Sequence, residues 1–594
     1  MSAPVRTPSG RALVAALLLL LGGRAAAGQQ QGGDQRPAEP QSSRGRLAVT
    51  GCAGQPISAI VVITAPPFRD RLPRQLEWVR TTVRAAHQNT RARVIRRFLL
   101  LKEGDPCNQI RRAESERLLR AQPYLVEARI YVYDDEQGGV RLEVETRDEF
   151  SLVAALAVRG TAPVMRAVRV GDANLFGEGM RGALLWRHGG AYRDVLGVDF
   201  TDYQFGGSRN ELRLMARRLE RGQVVRGEVI RPFYTDLQRV AWVASGGGVQ
   251  EYAQFFRPGQ PLLAVDTRRG YGNVGALTRI GPVGRLRLMG ASLSHERERF
   301  GRAPLQLTPT GLVPDTLGAV IPRYRDQDVV RLNALLGVRA LRFVPVQGFD
   351  ALTGTQDVRV GVQLGLMAGQ SLPVPGSADR DQFLSGTLYA GVGGGKSFLA
   401  VQANGEGRYD RVARAWDNVV GSGRAAWYFR PAVKQTTVLQ AEWGGGWQVR
   451  VPFQLSLADR DGGLLGHQRS ELPGARRVVL RGEQRLVIPT RFNVADVGLA
   501  VFAEGGRLWG DPLVPYSADT PWRGAAGVSV LAAVPPRSRR LWRMDVAVPL
   551  GGDPRGQLQL RFTNLDRSRV FWQDPLDVRL ARERTAPASL FQWP

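Results

Sequence analysis

Gly556-Gln557-Leu558-Gln559-Leu560-Arg561-Phe562 decides the fold class of this 594-residue chain. From Leu558 onward every second residue is large and apolar, and the residues between are Gln and Arg. A period of two is the signature of a β-strand with two unlike faces. The same alternation recurs upstream in Val195–Thr201, Glu211–Arg217, Val224–Ile230, Val358–Leu366 and Val497–Gly505. Gly, Asp, Asn and Pro punctuate these segments, and helical periodicity is nearly absent over roughly 400 residues. A soluble all-β protein also alternates. Two features favour a membrane barrel: the polar parity is dense in Arg, Glu, Gln, Asp and Gly, as a polar lumen requires, and Trp186, Phe200, Phe233, Trp509 and Trp542 sit at segment ends, where a bilayer interface favours aromatics. Strand counting gives roughly sixteen to eighteen, and a bacterial barrel closes on an even number.

Composition agrees. Lys and Arg number 81 against 54 Asp and Glu, a net charge of +27, and 43% of residues are hydrophobic, which excludes global disorder. Seventy glycines without a three-residue period exclude collagen. Two cysteines and four scattered histidines hold no zinc or iron–sulfur pattern, so no metal or cofactor is expected. A basic balance of this size raises nucleic acid, but the N-terminus opposes it. Arg6 and Arg11 precede the apolar run Ala12–Leu21, and Ala25-Ala26-Ala27 offers a signal-peptidase site. The expectation is therefore a signal peptide over 1–27, a flexible lead-in over 28–45 and an exported mature chain. In an oxidising compartment Cys52 and Cys107 are a candidate disulfide; two buried free thiols are the other reading.

Residues 46–150 have a different texture. Ile57, Ala59, Val61 and Ile63 alternate as a strand. Helical spacing follows over 74–87 and 91–101, then Gly104-Asp105-Pro106, where Asp105 is expected to cap a helix starting at Pro106. Strands are expected around Val126–Val132 and Val140–Val144. The order strand, helices, strand, strand gives a small sheet backed by helices. The arginines at 91–97 and 111–120 are either a docking face or a solvated surface.

Phe98-Leu99-Leu100-Leu101-Lys102-Glu103-Gly104-Asp105, the stretch Glu114–Leu119 and Tyr124–Ala128 resemble a POTRA domain. The remainder resembles the barrel of the Omp85 superfamily, which includes BamA- and TamA-like assembly factors and two-partner secretion transporters. The resemblance rests on Asn174-Leu175-Phe176-Gly177-Glu178-Gly179, the region from Gly462 to Arg485, and Phe502–Trp509. It implies an N-terminal α/β POTRA-like domain, a transmembrane antiparallel β-barrel of sixteen strands over 151–565, and a tail over 566–594 that either folds back into the periplasm or plugs the barrel. It further implies a weak seam between first and last strands, involving Gly179, Gly182, Gly556, Leu558, Leu560 and Phe562. A sixth loop would reach an acidic interior partner, through Gly466, His467, Arg469, Glu483, Arg485 and Glu504. The loop's usual arginine is missing, Leu465 standing at its position; Arg469 is one substitute and Arg481-Gly482 is the alternative register.

The function this implies is assembly of outer-membrane β-barrel proteins in the bacterial outer membrane, the N-terminal domain lying in the periplasm. Partners would be unfolded barrel clients, accessory proteins and outer-membrane lipids, with no nucleic acid. Secretion of a polypeptide through the lumen is the alternative. No enzyme is expected: Gly393-Gly394-Gly395-Lys396-Ser397 superficially resembles a phosphate loop, but Ala390 stands where its first glycine belongs.

Overall fold

The computed structural model describes residues 50–68, 87–159, 164–188, 192–308, 310–315, 324, 326–375, 377–449, 452–459, 462–467, 472–489, 494–551, 558–566 and 577–578. The expected signal peptide, the lead-in and nearly all of the expected 74–87 helix lie outside them.

The N-terminal domain is built from β1 (Ile57–Ala65), α1 (Ala92–Phe98), α2 (Gln109–Arg120), β2 (Leu125–Asp134) and β3 (Val140–Asp148). The sheet order is β1-β3-β2. β1 runs parallel to β3, with Ile60 opposite Leu142, and β2 runs antiparallel to it, with Ile130 opposite Val144. Parallel neighbours need a crossover, and the helical segment between β1 and β2 supplies it. Val94, Ile95 and Phe98 of α1 and Leu119 of α2 bury one face of this sheet. Cys52 and Cys107 are joined, their Cα atoms 4.9 Å apart.

The expected cap at Asp105 is corrected. α2 starts at Gln109, and Asn108 caps it by accepting from the Ile110 and Arg111 N–H groups. Pro106 bridges to Pro56, and the Cys107 N–H donates to the Gln55 carbonyl, so the chain is still extended where the sequence offers a helix start. Asp105 accepts from the Lys102 N–H instead.

The closed sheet begins with β4 (Leu152–Arg159), β5 (Val164–Asp172), β6 (Met180–Arg187), β7 (Val195–Phe205), β8 (Asn210–Leu219) and β9 (Gly222–Arg231). Longer strands follow: β10 (Val240–Phe255), β11 (Leu262–Ile280) and β12 (Leu286–Phe300), then the short hairpin β13 (Leu305–Thr308) and β14 (Gly311–Pro314). Next come β15 (Gln327–Gln347), β16 (Thr355–Ser371), β17 (Asp381–Gly393), β18 (Ser397–Asp410), β19 (Ala415–Ala432) and β20 (Gln435–Trp447). The last are β21 (Arg476–Ile488), β22 (Asp496–Trp509), β23 (Arg523–Ala533), β24 (Arg540–Leu550) and β25 (Gln559–Asp566). Sequential neighbours pair, and β25 closes on β4.

The expected count of sixteen is corrected. Twenty-two strands stand in the closed order among the described residues; β12 pairs directly with β15, so setting aside the two strands of the β13–β14 hairpin leaves twenty in the wall. The excess comes partly from β4, whose sequence LVAALAVR is apolar on both parities and so carries no period of two.

The wall is inside-out relative to a soluble protein. Along β15, Arg331, Asn333 and Arg339 are buried toward the lumen, whereas Leu332 and Leu336 are each 52% exposed on the outside. Leu293, Val362, Leu388, Leu439, Leu499 and Val528 continue the outward apolar belt. In water such a surface would be costly; in hydrocarbon it is the stable arrangement, and closure leaves no backbone edge unpaired. The barrel is a membrane-spanning one, and no described helix is long and apolar enough to cross a membrane.

Candidate functional site: a covered mouth and an inward-folded loop

One mouth of the barrel is covered by the N-terminal domain, held by turns from around the ring. Before β6, the Arg91 N–H donates to the Gly177 carbonyl at 3.0 Å, and Arg93 pairs with Glu178. Beside the β7–β8 turn, Gln204 donates to the Val94 carbonyl at 2.8 Å and Arg209 reaches the Arg97 and Leu99 carbonyls. Arg117 of α2 donates to the Tyr234 carbonyl and stacks 4.1 Å over the Phe343 ring, while Arg120 holds Asp357 at 2.9 and 2.8 Å. The β23–β24 turn contributes most: Arg537 pairs with Glu127, Ser538 with Glu149, and Arg539 donates to the Gln122 and Leu125 carbonyls. Of the two arginine-rich stretches, Arg117 and Arg120 are thus largely buried against the barrel, and Arg91 and Arg93 touch it with about half of each side chain still exposed.

Two carboxylates near these contacts are perturbed. The Ile60 N–H and the Arg96 guanidinium hold exposed Glu103 below the usual carboxylate range. Burial in the β9–β10 turn pushes Asp236 up, against the opposing pull of Arg339 and the Gly284 N–H.

Gly179 belongs to this docking region, and neither it nor Gly182 lies at the seam. β6 lies between β5 and β7, with Gly182 opposite Asp172 and Phe200, whereas β25 closes on β4. The expectation that β6 opens the barrel fails because two strands precede it. Gly179, at φ +69°, is fixed by close approach: a Cβ there would lie 3.1 Å from the Tyr124 hydroxyl and 3.2 Å from Val94. Leu560 and Phe562 do lie on the last strand, and Leu558 immediately precedes it; all three are exposed on the outside. Gly556 lies outside the described residues. The closing strands β4 and β25 have eight residues each, against 21 in β15.

Between β20 and β21 the chain turns into the lumen. Leu455, Leu457 and Leu464 are buried against Val420, Val479 and Leu508 of the wall. Gly463 permits the tight fold, since a Cβ there would sit 2.1 Å from the Leu457 backbone. Arg481 on β21 is the anchor. It donates to Glu504 at 2.9 Å, to Glu442 at 2.7 Å and to the Gly463 carbonyl at 2.5 Å. The Leu465 N–H donates to Glu504, and the His467 ring meets the Gly524 carbonyl at 2.9 Å. Gly466 lies against Ala547 and Pro549. Arg469 lies outside the described residues. The tail's two described residues sit here also, with Asp577 on Arg477 at 2.7 Å and Val578 buried in the same cluster.

Glu483 and Arg485 do not join this group. Arg543 donates to Glu483 at 2.7 Å, and Arg485 reaches the Phe349 carbonyl at 2.6 Å, nearer the covered mouth. The six residues expected around the loop therefore divide: Gly466, His467 and Glu504 are in it, and Glu483 and Arg485 form a separate wall network. Arg481 and Glu442 carry the contact instead. The sequence signal for Arg481 was the Arg481-Gly482 pair, the second of the two registers; Glu442 carried none. The Gly393–Ser397 stretch forms the β17–β18 turn.

These features define a membrane-spanning β-barrel with a small α/β domain across one mouth and a loop pinned inside. No family model and no curated relative matches the chain. It is similar to several solved structures. One is BamA from Haemophilus ducreyi lacking POTRA domains 1–3, at 12% identity over 85% of this chain and 84% of that one, TM-score 0.36. Another is CdiB from Escherichia coli, at 12% identity over 94% and 99%, TM-score 0.39. CdiB from Acinetobacter baumannii is similar at 10% over 86% and 73%, TM-score 0.36. Likeness at this level leaves the reading of function to the molecule's own geometry.

Proposed function

We propose that this protein assembles β-barrel clients into the bacterial outer membrane, with its N-terminal POTRA-like domain in the periplasm. The observation that carries the reading is the position of the seam. β4 begins four residues after β3 ends, so the domain that covers the mouth leads directly into one of the two closing strands. Both closing strands are short, and each residue of shared ladder contributes to holding the edges together. A client strand delivered by the domain would meet the edge most easily opened and add to it by β-augmentation. The covered mouth and the inward loop favour this lateral route over passage through the lumen.

Secretion of a polypeptide through the lumen is the second reading, favoured by the charged inner wall and by an anchor, Arg481, that would have to be released to open a path. Depletion followed by quantitative profiling of outer membrane and medium separates the two. Loss of many barrel proteins from the membrane supports assembly; loss of one exported polypeptide with barrels unchanged refutes it.

A further inference from the structure

On the outside of the wall, toward the end away from the N-terminal domain, glycines on adjacent strands leave a groove. Gly246 and Gly248 of β10 lie opposite Gly272 and Gly270 of β11. A Cβ at Gly270 or Gly272 would meet nothing within 4 Å. The groove has a volume of about 430 Å³, with Val225 and Gly248 on its floor and Arg268, Arg297 and Arg299 among its walls. Arg297 stands opposite Gly270, and Arg299 opposite Arg268.

The charges are unbalanced. Arg297, Arg299 and His295 all turn to one carboxylate, Asp328, at 3.2 to 3.4 Å, and Arg268 turns to Asp266 at 3.3 Å. Three guanidiniums and an imidazole thus share two carboxylates. The Arg268 and Arg297 side chains are 67% and 61% exposed, open to a further anion. On β12 the outward residues Met289 and Leu293 precede His295, Arg297 and Arg299, so the arginines begin where the apolar belt stops. The bare backbone below them has the width of missing side chains, and it runs into the belt at Val274.

We propose that this groove seats one phosphorylated lipid of the leaflet farther from the N-terminal domain, its phosphate on Arg268, Arg297 and Arg299 and an acyl chain along the glycine floor. Guanidinium is suited to phosphate by its planar pair of donors. The apolar floor distinguishes a lipid from a soluble phosphate, which would gain nothing from it. The proposal rests on the barrel spanning a membrane and is independent of what the barrel transports.

The test uses the full-length protein in detergent micelles and native mass spectrometry with diphosphorylated lipid A, the same lipid without phosphates, and inorganic phosphate. Lipid A should bind the wild type. The variant R268Q/R297Q/R299Q should bind about a hundred-fold more weakly, from roughly a factor of five per arginine near a membrane surface. G270L, which fills the groove without changing charge, should also weaken binding, and R287Q/R342Q, outward arginines toward the other end of β12 and β15, should not. Heat-modifiable electrophoretic migration verifies that each variant is folded. Equal binding of the dephosphorylated lipid, full displacement by equimolar inorganic phosphate, or unchanged binding by both groove variants would overturn the proposal. A wild type that fails to enter bilayers would instead sink the membrane reading beneath it.

Discussion

Replacing Arg481 by Met should release the inward loop while leaving the barrel wall closed. In the native structure this guanidinium neutralises Glu442 and Glu504 and binds the Gly462 and Gly463 carbonyls of the loop. Removing it leaves Glu504 of β22 without its cation and Glu442 of β20 with Arg424 alone. Breaking a buried ion pair from one side costs about 3–5 kcal/mol. The Arg481 side chain keeps 24% of its surface exposed, so the lower figure applies. About 3 kcal/mol lowers the ratio of docked to undocked loop by roughly a hundred-fold. The apolar cluster around Leu455, Leu457 and Leu464 opposes release, and the wall's hydrogen-bonded ladder is untouched. Planar-bilayer conductance is the assay, with protease sensitivity of the 448–475 segment as its companion. R481M should raise conductance and expose the loop while keeping heat-modifiable migration. R481K, with one point charge in place of a planar fork, should fall between. Adding E504Q to R481M should recover part of the docking, because it removes the carboxylate left without a cation, whereas Glu442 keeps Arg424 at 3.2 Å. Unchanged conductance and protease protection in R481M would refute the assignment of Arg481 as the anchor.

Other expectations follow from the covered mouth and the domain core. G179V should loosen the N-terminal domain, since its side chain would enter the space of Tyr124 and Val94 at a positive φ; G206A, at φ +66° with nothing within 4 Å, is the control, and limited proteolysis between 87 and 150 reads the difference. R120D should undock α2 and R120D/D357R should restore protection, because Arg120 and Asp357 hold each other bidentately. C52S/C107S should lower the stability of the domain by about 2–4 kcal/mol, seen as a lower denaturation midpoint without reductant and as no further change with it. Asp236, raised by burial, contributes stability below its unfolded value that is lost as pH rises through its folded value; D236N should therefore gain relative stability over wild type as pH rises above the ordinary carboxylate range, and a gain that shrinks with rising pH would contradict this.

What was legible in the sequence is what a strand records about itself. Alternation in Gln559-Leu560-Arg561-Phe562 told which face met lipid, and the structure exposes Leu560 and Phe562 outward. The small domain was legible for the same reason, since Val94, Ile95 and Phe98 are buried at helical spacing and Ile130 and Val132 at strand spacing. Ring closure is of another kind. Which strand meets β25 depends on how many strands intervene, and leaving β4 and β5 unread before β6 moved the seam by two strands. Gly179 shows the same limit at a single residue. Its lack of a side chain suggested a weak strand, but its role is set by Tyr124, 55 positions earlier in the chain, pressing on it across the domain boundary. Arg481 joins Glu442 and Glu504 only because β20, β21 and β22 pair in one register; a shift of β21 by one residue would turn its side chain to lipid and leave Glu504 without its cation and Glu442 with Arg424 alone. The loop's attachment to the wall therefore depends on the register of these three strands, which the backbone ladder sets.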